Sequence, residues 1–220
     1  MHRLAQLVRC GEVTPLELAG AYAAFANDGA IWNAAAVIRA AYDAQGFELP
    51  VPKPQADEVI TPAEAYLMTS LLAGVIDKGT ATSVRARGIA ADLAGKTGTT
   101  NDGRDAWFVG YSPQLLALVW VGFDDGSPHG LSAAQAAVPI WSDFMKQAID
   151  AYPVPAFEIP DGIASVEIDI TNGMAANRFC PAVAREVFLM IILSDIKFIQ
   201  FGHFGHDGAV PDLLGIQTPD

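Results

Sequence analysis

The sequence predicts an α/β fold of the α+β kind, an antiparallel sheet with helices packed on its faces. Three observations point there. Two segments open with the same helix-start signature, Thr14-Pro15-Leu16-Glu17 and Thr61-Pro62-Ala63-Glu64. Two strongly apolar runs, 105–111 and 115–123, are separated by a short loop containing a proline, the mark of a hairpin. An alanine-rich helical stretch follows at 133–151.

Each element has a local cause. Thr14 can cap the first helix, Pro15 can sit at its first position, and Glu17 can reach back to close a capping box. Asn27-Asp28-Gly29 stops it. Residues 31–49 suit a short strand and an alanine-rich helical turn ending at Gly46, and 50–54 form a proline-rich connector. The second helix starts at Thr61 and ends at Gly79, with Ala65, Leu67, Met68, Leu71, Leu72 and Val75 continuing it as an amphipathic helix. A strand of small residues is expected over 89–99, then the hairpin pair. The second hairpin strand is apolar on both faces and should be central or covered on both sides. Pro139 stands where it would kink the 133–151 helix. Pro153, Pro155 and Pro160 mark a linker. Alternation over 166–170 with Asn172-Gly173 as a turn then marks a small β-rich piece. The division expected is 1–152, 153–188 and an atypical tail over 189–220.

The 220 residues are 51% hydrophobic and 17% charged, enough apolar content for a sizeable core. The net charge of −12 repels phosphate backbones, and no basic patch offsets it, so nucleic acid is a poor partner. Cys10 and Cys180 are too few for a disulfide framework and lack metal-ligand spacing. No secretory signal and no run of about 20 apolar residues is visible.

The chemistry concentrates in Lys96-Thr97-Gly98-Thr99-Thr100, at the end of a predicted strand. Strand alternation puts Lys96 and Gly98 on one face and Thr97 and Thr99 on the other. The bare Gly98 lets a ligand backbone approach closely. A peptide could add there as an extra strand. Lys96 brings positive charge, the threonine hydroxyls can hydrogen-bond a carboxylate, and a free backbone N–H can serve an oxyanion hole. A lysine and threonines on a solvated strand would give the same tripeptide by chance. The wider context, AGKTGTTNDGRDAWFVGYSPQ followed by VWVGFDDG, decides against chance.

With EVTPLELAGAYAAFANDG and AYLMTSLLAGVIDKGTA before it and AAVPIWSDFMK and NRFCP after it, that context resembles the class A penicillin-binding proteins over roughly 12–188. The resemblance implies the penicillin-recognising serine-enzyme fold, a five-stranded antiparallel sheet between helical layers. In that fold Ser-x-x-Lys, Ser-x-Asn and Lys-Thr-Gly-Thr meet. It implies that Lys96 orients substrate and joins the proton network. It implies that Thr97 and Thr99 hold the carboxylate of a stem peptide or β-lactam, and that the Thr99 N–H is an oxyanion donor. Lys96 and Thr99 are thus the catalytic candidates, and Lys96, Thr97, Gly98, Thr99 and Thr100 the substrate-binding ones. Implied partners are a peptidoglycan stem peptide ending in D-Ala-D-Ala and β-lactams. The implied setting is the periplasmic or extracytoplasmic face of the cell membrane, within a membrane-anchored parent. Neither cofactor nor metal is implied.

The nucleophile motif is missing. No Ser-x-Asn occurs, and the one Ser-x-x-Lys, Ser194-Asp195-Ile196-Lys197, lies on the wrong side of Lys96. Ser142 and Lys146 are one residue too far apart. The pattern also departs from the family before Glu12 and after Phe188, as expected of a truncated or frame-shifted reading frame or, alternatively, of a genuine tail with its own role. The chain therefore reads as the C-terminal part of a transpeptidase domain. The alternative is a non-catalytic module binding peptidoglycan peptides or a partner. His203 and His206 beside Asp207 lack a third metal ligand nearby. Asp105 reads as a turn residue or a strand-end partner of Arg104, Trp107 as core, Asp124-Asp125-Gly126 as a solvated turn, and Phe108, Tyr111, Trp120 and Phe123 as sheet core.

Overall fold

The computed structural model describes residues 13–32, 40–51 and 55–190. These fall into two compact units that divide between Asp161 and Gly162. The first begins with α1 (Pro15–Ala26). Thr14 caps it: the Glu17 N–H donates to the Thr14 hydroxyl at 3.2 Å, and the Glu17 carboxylate accepts from the Thr14 N–H at 2.9 Å. After Asn27 the chain reverses at Gly29, whose φ of 91° suits glycine and whose site leaves no room for a Cβ, which would lie 2.0 Å from the Ile60 carbonyl oxygen. Then come β1 (Ala30–Trp32), β2 (Ala41–Tyr42), β3 (Glu48–Leu49) and β4 (Ala56–Glu58). β1 pairs with β4 and β2 with β3, both antiparallel. The helical turn expected between the strand and Gly46 falls partly on 33–39, outside the described residues, and 41–49 form a small hairpin instead.

α2 (Pro62–Asp77) repeats the cap of α1 through Thr61 and Glu64. A short α3 (Ser83–Ala86) follows, then β5 (Ala94–Thr99), β6 (Asp105–Tyr111) and β7 (Leu116–Gly122), an antiparallel sheet in the order β5-β6-β7. α4 (Ala137–Ala151) ends the helical part. Helices cover both faces of this sheet. On one side Phe108, Ala117 and Val119 pack against Ile76, Val84, Trp141 and Met145. On the other, Ala94, Tyr111 and Leu116 meet Tyr22, Phe25 and Leu72. Trp141 is fully buried, stacks edge-on to Phe108 with centroids 5.0 Å apart, and donates its indole N–H to the Ala117 carbonyl at 3.0 Å. On the far face the buried Tyr111 hydroxyl pairs with Thr69 at 3.0 Å. Burial, the larger influence, raises the Tyr111 phenol above its ordinary range, and the Thr69 hydrogen bond only partly opposes that.

Three sequence expectations need correction. β5 starts at Ala94 rather than 89, because the Arg85 guanidinium takes the Ile89 and Ala91 carbonyls at 2.9 and 2.7 Å and holds 89–93 out of the ladder. The 133–151 helix starts at Ala137. Residues 132–135 form a turn closed by the Ser132 N–H and hydroxyl on the Gln135 side chain at 3.0 and 2.9 Å. Pro139 then sits in the first helical turn, where no intrahelical donor is needed. Helices cover β7 on both faces, as its two apolar faces require, and among the described residues it is an outer strand of the sheet. Trp120 and Phe123 are accordingly 40% and 55% exposed rather than core.

In the second unit β8 (Ile163–Asp169) and β9 (Val183–Leu189) pair antiparallel. Buried Asp169 accepts from the Thr171 N–H and hydroxyl at 2.8 and 2.6 Å, and the Gly173 N–H closes the turn on the Asp169 carbonyl at 2.7 Å. Cys180 is a free thiol there. Cys10, Ser194, Lys197, His203 and His206 lie outside the described residues. Among the described residues no helix is long and apolar enough to cross a membrane.

Candidate active-site strand

The five candidate residues lie on β5 and the loop that leaves it. β5 opposes β6 with Lys96 against Val109, Thr97 against Phe108, Gly98 against Trp107 and Thr99 against Ala106. Just beyond, the Thr100 N–H donates to the Asp105 carbonyl at 3.1 Å. In an antiparallel pair, hydrogen-bonded and non-bonded positions alternate. Lys96 and Gly98 therefore share the bonded phase of Thr100, while Thr97 and Thr99 turn their N–H and C=O groups away from β6. No strand among the described residues pairs with that outer edge. The Lys96 ammonium donates to the Thr97 carbonyl at 2.8 Å, as an outward carbonyl allows.

The side chains divide as alternation requires. Lys96 is exposed and takes part in no ion pair found among the described residues, so its charge is available to an anion. The Thr97 hydroxyl lies 2.7 Å from the Thr80 hydroxyl. The Thr99 hydroxyl accepts from the Ala133 N–H at 3.0 Å, tying β5 to the turn before α4. Thr100 stands apart: its hydroxyl accepts from the Arg104 and Asp105 N–H groups at 3.1 and 2.9 Å and so folds the β5–β6 loop.

The two glycines of β5 differ in kind. A Cβ on Gly95 would lie 2.8 Å from the Phe108 ring and from the Val109 carbonyl oxygen, so packing forbids it. A Cβ on Gly98 would meet only the Trp107 Cβ, at an ordinary 3.5 Å. The protein's own packing does not require glycine at 98. Two clefts elsewhere, one beside Leu115, Phe144 and Tyr152 and one beside Tyr66, Arg85 and Phe157, are lined by none of residues 96–100. What β5 offers is an open edge rather than an enclosed pocket.

Neighbouring residues take other duties. Asp105 accepts from the Trp120 indole at 2.9 Å and Arg104 pairs with Asp102, at 3.4 Å, so of the two readings of Asp105 the pairing with Arg104 is the one not formed. Ser142 is fully buried and donates to the Val138 carbonyl at 2.7 Å, while Lys146 reaches the Arg87 carbonyl at 3.1 Å, so the two do not form a reacting pair. Thr80 and the turn at 132–135 were missed by sequence reasoning. Nothing in a loop threonine's local pattern signals that its hydroxyl reaches a strand seventeen residues on.

A helix-flanked antiparallel sheet with a Lys-Thr-Gly-Thr strand at its open edge is the architecture of the penicillin-recognising acyl-transfer domains. The penicillin-binding protein transpeptidase domain model matches residues 11–146, and the chain belongs to that family. It is 38% identical to penicillin-binding protein 1A of Neisseria lactamica over 169 residues, 74% of this chain and 21% of that protein. Penicillin-binding protein 1A of Aquifex aeolicus is also 38% identical, over 78% of this chain and 24% of its own length. The crystal structure of penicillin-binding protein 1A from Haemophilus influenzae superposes with a TM-score of 0.72 at 28% identity, covering 80% of this chain and 32% of that one. The chain thus spans about a fifth to a quarter of the length of these curated relatives.

Proposed function

We propose that this chain supplies the substrate-clamping strand of a serine D,D-transpeptidase that cross-links peptidoglycan stem peptides and binds β-lactams. The observation that carries this reading is the outer edge of β5, where the main-chain groups of Thr97 and Thr99 face outward beside the unpaired charge of Lys96. A stem peptide ending in D-Ala-D-Ala adds antiparallel along that edge. Its terminal carboxylate is held by Lys96 and the threonine hydroxyls, and the scissile carbonyl oxygen points at the Thr99 N–H. In the reaction a serine hydroxyl attacks that carbonyl, the terminal D-Ala leaves, and an amine of a neighbouring stem displaces the serine. The Thr99 N–H stabilises the negative charge that grows on the oxygen in each step. Thr100 contributes by fixing the loop at the end of the strand. The setting is the extracytoplasmic face of the membrane, within a membrane-anchored parent. The expected division into 1–152, 153–188 and 189–220 accompanies this reading.

A second reading is favoured by one fact: no Ser-x-x-Lys precedes Lys96 in these 220 residues. On its own the chain then binds stem peptides without reacting. Both readings predict that the purified chain binds a D-Ala-D-Ala peptide in calorimetry and carries no fluorescent penicillin through a denaturing gel. A covalent penicillin adduct would refute the assignment of β5 as clamp without nucleophile, and absence of peptide binding would refute the clamp itself.

A further inference from the structure

We propose that Thr80 is a positioning residue for the carboxylate clamp, acting through the Thr97 hydroxyl; this rests on reading β5 as the site of a terminal carboxylate. Thr80 lies between α2 and α3, on a loop that is held firmly. The neighbouring Ala81 is fully buried, and its N–H donates to the Val75 carbonyl at 3.0 Å. A Cβ on Gly79 would lie 2.8 Å from the Val75 Cα, so the chain runs tight against the end of α2 there. Thr80 itself is exposed. Its hydroxyl sits 2.7 Å from that of Thr97.

A hydroxyl has one proton and two lone pairs, and one of the two protons lies within this contact. If Thr97 donates to Thr80, only lone pairs of Thr97 face the groove, and an ionised carboxylate, which only accepts, is repelled. If Thr80 donates, the Thr97 proton is free for the ligand. A bound carboxylate therefore selects the chain Thr80 to Thr97 to carboxylate. Thr80 also biases a rotor that otherwise has three staggered wells, a factor of about three. Polarisation along the chain of hydrogen bonds strengthens the second bond further. The turn at Ala133 holds Thr99 in the same manner, so both threonines of the strand are oriented from outside it.

The test uses the 220-residue chain with diacetyl-L-lysyl-D-alanyl-D-alanine and with the C-terminal amide of the same peptide. Thr80→Val should weaken binding of the acid by about threefold to tenfold. Thr80→Ser should restore it to within about twofold, and the amide should bind both variants alike. In a Thr97→Val background the Thr80→Val change should have no further effect. Equal acid binding by wild type and Thr80→Val overturns the inference while leaving the clamp intact, and so does an equal loss for acid and amide, which marks a merely structural role. If wild type binds neither peptide, the clamp falls and the inference with it.

Discussion

Gly98 and Gly110 look alike in the sequence, yet the structure gives them opposite duties. A Cβ on Gly110 would lie 2.4 Å from the Trp141 ring, so this glycine makes room for the buried indole. At Gly98 the added methyl meets nothing closer than 3.5 Å and points toward the face that Lys96 shares. Gly110→Ala should therefore destabilise the chain by about 1–3 kcal/mol through overpacking, measured by denaturant unfolding. Gly98→Ala should leave stability within about 1 kcal/mol of wild type and weaken D-Ala-D-Ala peptide binding by about tenfold or more, as expected where a ligand backbone lies against a bare strand. Equal stability loss at both positions would show that glycine at 98 serves packing. Lys96 is also distinctive, since its ammonium rests on the carbonyl that an incoming strand would use. In the proposed reading, binding would exchange that internal bond for the ligand's N–H and free the charge for the carboxylate.

Among the elements, the helix starts were the most legible. Thr-Pro-x-Glu encodes a complete cap within four residues, and both copies form it, at Thr14 and Thr61. β6 was legible to the residue and β7 nearly so, because apolar β-branched and aromatic runs on either side of a proline loop leave few alternatives. The start of β5 was not, because a side chain far from the strand, Arg85, captures the carbonyls that would have extended it. The pairing of β1 with β4 was also hidden, since three-residue strands carry no measurable alternation. The caps make a pH prediction. Hydrogen bonds from the Thr61 N–H and then its hydroxyl hold the Glu64 carboxyl below its ordinary 4.5, and Thr14 does the same for Glu17. A lowered folded-state pKa contributes stability that is complete above the ordinary value and is lost as pH falls through the folded value. Thermal melts should therefore show Thr61→Ala destabilising by about 1 kcal/mol at neutral pH, with that penalty shrinking as pH drops well below 4.5. A penalty independent of pH would mean that the Thr61 hydroxyl does not act on the Glu64 carboxylate, since the variant keeps the Thr61 N–H bond to it.

The assembled sheet explains why a motif of five residues could be read so far from sequence. Its proposed function is local to one strand edge, and the family resemblance runs through the segments that pack on the same sheet. The sequence could not reveal that the strand's outward groups are those of Thr97 and Thr99, because phase in a ladder is set by the loop at Thr100 and by the register with β6. Nor could it reveal that Thr80 and the Ala133 turn orient the hydroxyls, since both contacts arise only when distant loops are brought together. Amide hydrogen exchange read residue by residue, with and without saturating D-Ala-D-Ala peptide, addresses the clamp most directly. In the free chain the Thr97 and Thr99 amides should exchange fast while those of Lys96 and Gly98, bonded to β6, exchange slowly, and the peptide should slow Thr97 and Thr99 by about tenfold or more. Thr97 and Thr99 amides already as protected as their neighbours, or unchanged at saturation, would contradict an open edge that receives a peptide strand.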